Sequence, residues 1–320
     1  MASCRSISNR GSAALALLAA ACHPAGSGRT EIVLGDQAGL ARANAEAAGV
    51  LKDAPYSFHW ANFPGAAPLF EAMNAGAVDT APAGDAPLIL AAAGKVPLRV
   101  VALSRSSGRA VGILVPRGSS IRSIADLRGH RVIVSSARGS IAQYLLLEAL
   151  RRAHIPASGL SISFLLPNDA AAAFEAGKID AWATFGSYQA IAESRGARVL
   201  IDGRGINSGI GVIAASETAL ADPNKRAAIA DYLKRQARVN VWTRAHPEAY
   251  AAIYARRTGV PIAVARTIVS WENPELRPVD ARSVQDLQAV ADRFYAFGVM
   301  PQKVNIADFV DASVFTGQQL

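Results

Sequence analysis

The residues best placed to do chemistry in this sequence are small polar turns that follow apolar runs and open helices. They are Gly35-Asp36-Gln37, Phe63-Pro64-Gly65-Ala66, Gly84-Asp85-Ala86 and Ser135-Ser136-Ala137-Arg138-Gly139-Ser140. In a parallel α/β sheet such turns lie at the carboxyl ends of strands, where ligands sit. A helix start there offers unpaired N–H groups and about half a positive charge. A small anion such as a sulfonate or nitrate has acceptor oxygens and no donors, so N–H, O–H and guanidinium groups suit it. The stretch holding Ser135, Arg138 and Ser140 offers all three kinds at one helix start, and Ser107 is a further hydroxyl candidate. Trp182 and Phe185, at the end of another expected strand, are candidates to wall an apolar pocket, with core packing as the equal alternative. Asp85 is unfavourable beside an anion. It caps its helix, or meets an amine-bearing end of the ligand.

Signals for catalysis are poor. The five histidines (His23, His59, His130, His154, His246) stand apart, without the H-x-x-x-H spacing of a metal site. There is no G-x-S-x-G elbow, no P-loop and no G-x-G-x-x-G after a strand. Cys4 and Cys22 are the only cysteines, so the chain beyond residue 22 has no disulfide, cysteine metal site or thiol nucleophile. No cofactor and no metal are expected.

The elements that position these turns alternate. Strand 31–35, a helix over 38–49, strand 57–63, a helix over 66–75, strand 78–81, a further helix and strand 98–103 follow one another, which implies a mostly parallel sheet. The pattern restarts with the apolar segment 111–116. Ser123 then reads as an N-cap, followed by strand 131–134, a long helix from Ser140 and strand 161–166. Asn168 is a second N-cap candidate, before strand 179–183. Residues 75–81 (AGAVDTA) and 176–182 (AGKIDAW) echo one another in matching contexts, which points to two similarly built lobes. After strand 210–216 the chain reads as largely helical, with starts at Pro247 and Asp280, and must pack on the first sheet. Lobe I is therefore residues 29–111 plus 210–320, lobe II is 112–209, and two chain crossings between them form a hinge around a cleft.

A chain of 320 residues with 51% apolar content suits two globular α/β domains. Its net charge is +8, but the 33 basic residues are scattered without a run or aromatic interleaving, which argues against nucleic acid. A mild positive field also favours an anionic ligand. Arg5 and Arg10 followed by the apolar run 12–21 read as a signal peptide, residues 1–21, cleaved after Ala21. Its removal takes away two arginines and no acids, so +8 becomes +6. Cys22 stands where a lipid acceptor would, although Ala19-Ala20-Ala21-Cys22 lacks the usual large aliphatic residue. The chain is thus expected to be exported to the periplasm, with lipid anchoring through Cys22 as the alternative to simple cleavage.

Longer stretches carry a family likeness. Residues 63–94 (FPGAAPLFEAMNAGAVDTAPAGDAPLILAAAG), 123–155, 166–190 and 295–310 resemble the aliphatic sulfonate, nitrate and taurine binding proteins of ABC transporters, closest to the alkanesulfonate branch. The resemblance implies a type II periplasmic-binding-protein fold, two doubly wound lobes with a ligand cleft between them. It implies a monomer that takes an aliphatic sulfonate and delivers it to an ABC permease and ATPase complex in the inner membrane. Carried over residue by residue, the contacts would be Gln37, Phe63 to Ala66, Gly84, Asp85, Arg138, Gly139, Ser140 and Trp182. Where the family often has W-D/E-P, this chain has Phe185-Gly186-Ser187, so ligand size and identity are free to differ there. Nitrate, taurine, a same-fold enzyme acting on a small metabolite, and a sensory module are the alternatives.

Overall fold

The computed structural model describes residues 29–317 apart from Ala38 and residues 272–274. The expected signal peptide and Cys22 lie outside the described residues. The first run of elements is β1 (Glu31–Gln37), α1 (Leu40–Ala48), β2 (Ser57–Phe63), α2 (Ala66–Asn74), β3 (Thr80–Gly84), α3 (Asp85–Ala93) and β4 (Leu98–Arg105). The second is β5 (Val111–Val115), β6 (Arg131–Ser135), α4 (Ile141–Arg152), β7 (Ser161–Leu165), α5 (Pro167–Glu175), β8 (Ala181–Phe185), α6 (Gly186–Ser194) and β9 (Arg198–Asp202). The chain then returns through β10 (Ile210–Ser216), α7 (Glu217–Ala221), α8 (Pro223–Ala245), α9 (Pro247–Thr258), α10 (Ile262–Trp271), β11 (Leu276–Arg277) and α11 (Ala281–Ala296).

These strands form two sheets, ordered β11-β4-β10-β3-β1-β2 and β7-β6-β8-β5-β9. Without the short β11 the two orders are the same pattern. In each, a central strand pairs in parallel with both neighbours, and an antiparallel strand lies between the third and last. Apolar side chains cover both faces of each sheet. Phe70, Leu88 and Phe294 pack on one face of the first, and Ile32, Ile229 and Leu233 on the other. Leu145 and Leu150 pack on one face of the second, and Phe174 and Trp182 on the other. Of the C-terminal helices, α8 packs on one face of the first sheet and α11 on the other.

The sequence echo is a structural repeat. In both copies a helix ends, a glycine takes a left-handed turn (Gly76 at φ 74°, Gly177 at φ 66°), and an aspartate follows. Asp79 accepts the Val33 N–H at 2.8 Å, and Asp180 accepts the Arg131 N–H at 2.9 Å. Each carboxylate ties the start of its strand to the central parallel strand, before the ladder begins. The strands expected at 78–81 and 179–183 begin two residues later than the apolar pattern implies, at Thr80 and Ala181.

Three further expectations need correction. β1 does not stop at Gly35 but runs to Gln37. A side chain at Gly35 would lie 2.5 Å from Leu69 and from the Thr80 carbonyl, so this glycine permits close packing rather than a turn. Asn168 is no cap: α5 starts at Pro167 after Leu166, because proline's fixed φ suits the first helical position and its missing N–H costs nothing there. β9 and β11 complete the two sheets although neither was anticipated.

Where the chain passes between sheets its two strands are pinned backbone to backbone. Ser106 N–H donates to Gly209 at 2.7 Å and Gly203 N–H to Val111 at 2.9 Å. A methyl group on Gly108 or Gly203 would lie 2.7 Å from the other's carbonyl oxygen. A second bridge is apolar: Ala190 of α6 packs with Ala43 of α1 and with Tyr250, Tyr254 and Ile268 of α9 and α10.

Candidate functional site

The carboxyl ends of both sheets face a shared cavity of about 610 Å³. Six helices begin around these strand ends, and their first N–H groups have different fates. At α1, Asp36 accepts the Ala41 and Arg42 N–H groups at 2.9 and 3.1 Å, so an internal carboxylate already closes that helix. At α3, Asp85 takes the Ala86 N–H at 2.6 Å, and Pro87 has none. At α4, the Gln143 N–H goes to Ser140 at 3.3 Å and the Gly139 N–H to the Gln143 side chain at 2.5 Å. The N–H groups of Ile141 and Ala142, in the first turn of α4, have no acceptor among the described residues. Ala66 and Ala67 of α2, and Ser187 and Tyr188 of α6, are in the same state. Groups of this kind at helix starts are what binds anions.

The loop into α4 holds two residues in left-handed conformations. Ser136 holds φ 72°, a left-handed conformation that costs a non-glycine residue energy and clusters at ligand sites. Its N–H donates to Leu165 at 2.8 Å, and its hydroxyl faces Gly65 across the cleft, 3.6 Å from where a Cβ would stand. Gly139 sits at φ 80° with Leu90 of α3 so close that a Cβ would be 2.2 Å from it. Arg138 is exposed, stacks its guanidinium 5.6 Å from the Phe164 ring centroid, and has no ion-pair partner among the described residues. It remains available to an anion at the cavity.

Of the residues singled out in the sequence, Gln37, Ala66, Gly84, Arg138, Gly139, Ser140 and Phe185 line the cavity together. Gln37 is held by a 2.6 Å bond from its amide to the Pro82 carbonyl. Gly65 faces the Ser136 hydroxyl across the cleft, whereas Phe63 packs into the first core and Pro64 is exposed outside the cavity. Besides Phe63 and Pro64, four further candidates lie off the cavity lining. Trp182 is 1% exposed, packs against Phe174 at 5.4 Å, and donates its Nε1–H to Ser135 at 2.8 Å. Ser135 donates in turn to Thr184 at 3.0 Å, so the pair closes its own hydrogen bonds inside the second core. Ser107 is exposed, and its hydroxyl accepts the Arg109 N–H at 3.3 Å in the crossing segment.

Asp85 is the fourth. It is fully buried and accepts a short bond from the Ser208 hydroxyl, which joins α3 to the returning chain segment. Burial holds its carboxyl above the usual range, opposed by the bonds from Ser208 and Ala86. Burial likewise raises Asp36, opposed by the Ala41 and Arg42 N–H groups.

The cavity also has walls that the sequence reading passed over. Asn207 bonds the Ile141 carbonyl at 3.3 Å and leaves its own carbonyl unpartnered. Tyr232, Gln236, Asn240 and Thr243 of α8 line the far end. No local motif marks them; only the packing of a distant helix on the first sheet brings them there. Among the described residues no group of three His, Cys, Asp or Glu side chains is arranged to hold a metal ion.

Residues 64–231 match the model of the NMT1/THI5 like family. A protein of Escherichia coli (strain K12) that carries the name of an aliphatic sulfonates-binding protein is 34% identical over 249 residues, 77% of either chain. The chain belongs to this family. Among solved structures, the alkanesulfonate-binding protein SsuA from Xanthomonas axonopodis pv. citri bound to MOPS matches with a TM-score of 0.82 and 27% identity, over 89% of this chain and 99% of that one. The periplasmic aliphatic sulphonate binding protein SsuA from Escherichia coli matches with a TM-score of 0.78 and 31% identity, over 88% and 97%. The fold of this family member is accordingly the type II periplasmic-binding-protein fold.

Proposed function

We propose that this protein is a monomeric periplasmic binding protein that captures an aliphatic sulfonate and hands it unchanged to an ABC permease and its ATPase. The lobes would be residues 29–111 with 210–320, and 112–209, closing about the paired crossings. What supports the reading is the set of unpaired N–H groups at the starts of α2, α4 and α6 around one cavity, with Arg138 beside them. A sulfonate presents three acceptor oxygens and a full negative charge over the whole accessible pH range, which matches donors that never titrate. The apolar lining supplied by Ala66, Pro82, Pro87, Ile210 and Phe185 suits a carbon chain. The relatives named above bear on the substrate class, and their names carry the same ligand type.

Isothermal titration with methanesulfonate to hexanesulfonate, taurine, nitrate and sulfate tests this. The expected result is binding of at least one organic sulfonate more tightly than nitrate or sulfate, with the recovered ligand chemically intact by mass spectrometry. A response to nitrate alone contradicts the sulfonate assignment, and a changed ligand contradicts the non-enzymatic one.

A further inference from the structure

Helix α4 carries more than the open N–H groups of its first turn. Leu145 and Leu150 on one side of it pack on its own sheet. Ile141, Tyr144 and Glu148, spaced i, i+3, i+7, share another side and meet the first lobe. The Ile141 Cδ1 lies 3.3 Å from where a Cβ on Gly84 would stand. Tyr144 packs into the core of the first sheet and sets its ring edge-to-face with Phe294 of α11, 5.3 Å between centroids at 87°. Glu148 is 4% exposed, and the Arg293 Nε of α11 lies 3.5 Å from it. Tyr144, Glu148, Arg293 and Phe294 all stand outside the cavity lining. The seam is also built to separate. Within α4, Glu148 already accepts bonds from Arg151 at 2.7 and 2.8 Å and from Arg152 at 3.0 Å, so Arg293 adds a longer, third partner. The buried carboxylate therefore stays compensated when Arg293 leaves, and parting the lobes strands no charge.

We propose that Tyr144 and Glu148 of α4, with Phe294 and Arg293 of α11, form a clasp made only when the lobes are together, and that these four positioning residues set the affinity for every ligand without touching any. The first turn of α4 faces the cavity and its next two turns hold the first lobe. A helix of 12 residues moves as one body, so its ligand end and its clasp end engage together. Apparent affinity is the intrinsic affinity scaled by the population of the competent, closed form. A contact that favours this form multiplies the affinity of all ligands by one factor and leaves their ranking alone. All four partners are protein groups, so the clasp also draws the lobes together before a ligand arrives. The inference takes its ligands from the sulfonate reading given above.

Calorimetry with methanesulfonate, butanesulfonate, hexanesulfonate and taurine, together with small-angle X-ray scattering, tests this on the full chain. Tyr144→Ala is expected to weaken every ligand that the wild type binds by about tenfold, with unchanged stoichiometry and with the ratios between ligands kept within about twofold. Arg293→Gln is expected to do the same by about threefold, and Tyr144→Phe, which keeps the ring, to stay within about twofold of the wild type. Arg293 is an exposed side chain, so a folding defect in Tyr144→Ala does not remove the test. Without ligand, Tyr144→Ala is expected to show a larger radius of gyration than the wild type. Wild-type affinity in both Tyr144→Ala and Arg293→Gln overturns the proposal. So does a loss confined to one ligand, which places the defect in the cavity, and so does an unchanged radius of gyration. If the wild type binds no sulfonate, the sulfonate reading has failed, and the scattering comparison alone decides the clasp.

Discussion

Helices α1 and α4 hold equivalent places in the two lobes, each following the central parallel strand of its sheet, yet their N-termini are finished in opposite ways. In the first, Asp36 lies over the opening turn and takes two of its N–H groups. In the second, the loop brings an unpaired Arg138, and the Ile141 and Ala142 N–H groups stay open. In one lobe an internal carboxylate occupies the helix start, and in the other that position is open. The repeat therefore supplies two like frames that differ at one helix start, and on the reading proposed above the open one is where the sulfonate sits.

The largest effect should come from blocking the approach of the lobes at that loop. Gly139→Val places a β-branched side chain at φ 80° and against Leu90, so sulfonate affinity should fall by roughly 100-fold or more while the circular dichroism spectrum stays native. Combining it with Leu90→Ala should recover part of the loss; no recovery would place the defect in the loop itself. Next, Asp79→Ala leaves the Val33 N–H and the Lys225 ammonium without their partner at a buried position, whereas Asp180→Ala acts at a half-exposed one. Denaturant unfolding should show a loss of about 3 kcal/mol for the first and about 1 kcal/mol for the second. Equal losses would deny that the repeat is buried unequally.

Arg138→Ala should weaken sulfonate binding about tenfold, close to 1.5 kcal/mol, without changing the melting temperature. An unchanged dissociation constant would remove this residue from the site. The smallest effect is a slope. Burial raises the Asp85 carboxyl in the folded protein, so the folded state holds its proton to higher pH than the unfolded chain does. Stability contributed by this group is then present below the unfolded value, near 3.9, and declines as pH rises toward the folded one. Many other carboxylates here are lowered and act in the opposite sense, so the informative quantity is the difference between the wild type and Asp85→Asn across acidic pH. The variant should lack this part of the decline; an identical profile would contradict a carboxyl raised by burial at Asp85.

The lobes were legible in the sequence because each strand and helix carries its own local signal, and the Ala-Gly-x-x-Asp echo repeats one such signal in a matching context. The cavity was partly legible for the same reason: the turns at Gln37, Ala66, Gly84 and Gly139 are local features of strand ends. Trp182 and Ser135 misled because residue type at a strand end does not say which face of the sheet a side chain takes; these two turn inward and satisfy each other. Tyr232 and Gln236 were invisible because they belong to a helix nearly 200 residues beyond α1 in sequence, and only tertiary packing places them at the cavity.

A crystal structure with a bound alkanesulfonate tests the central claim most directly. The account predicts sulfonate oxygens within about 3.2 Å of the Ile141 or Ala142 N–H, with the Arg138 guanidinium in contact. A sulfonate seated against Asp36, or outside the cavity altogether, would contradict it.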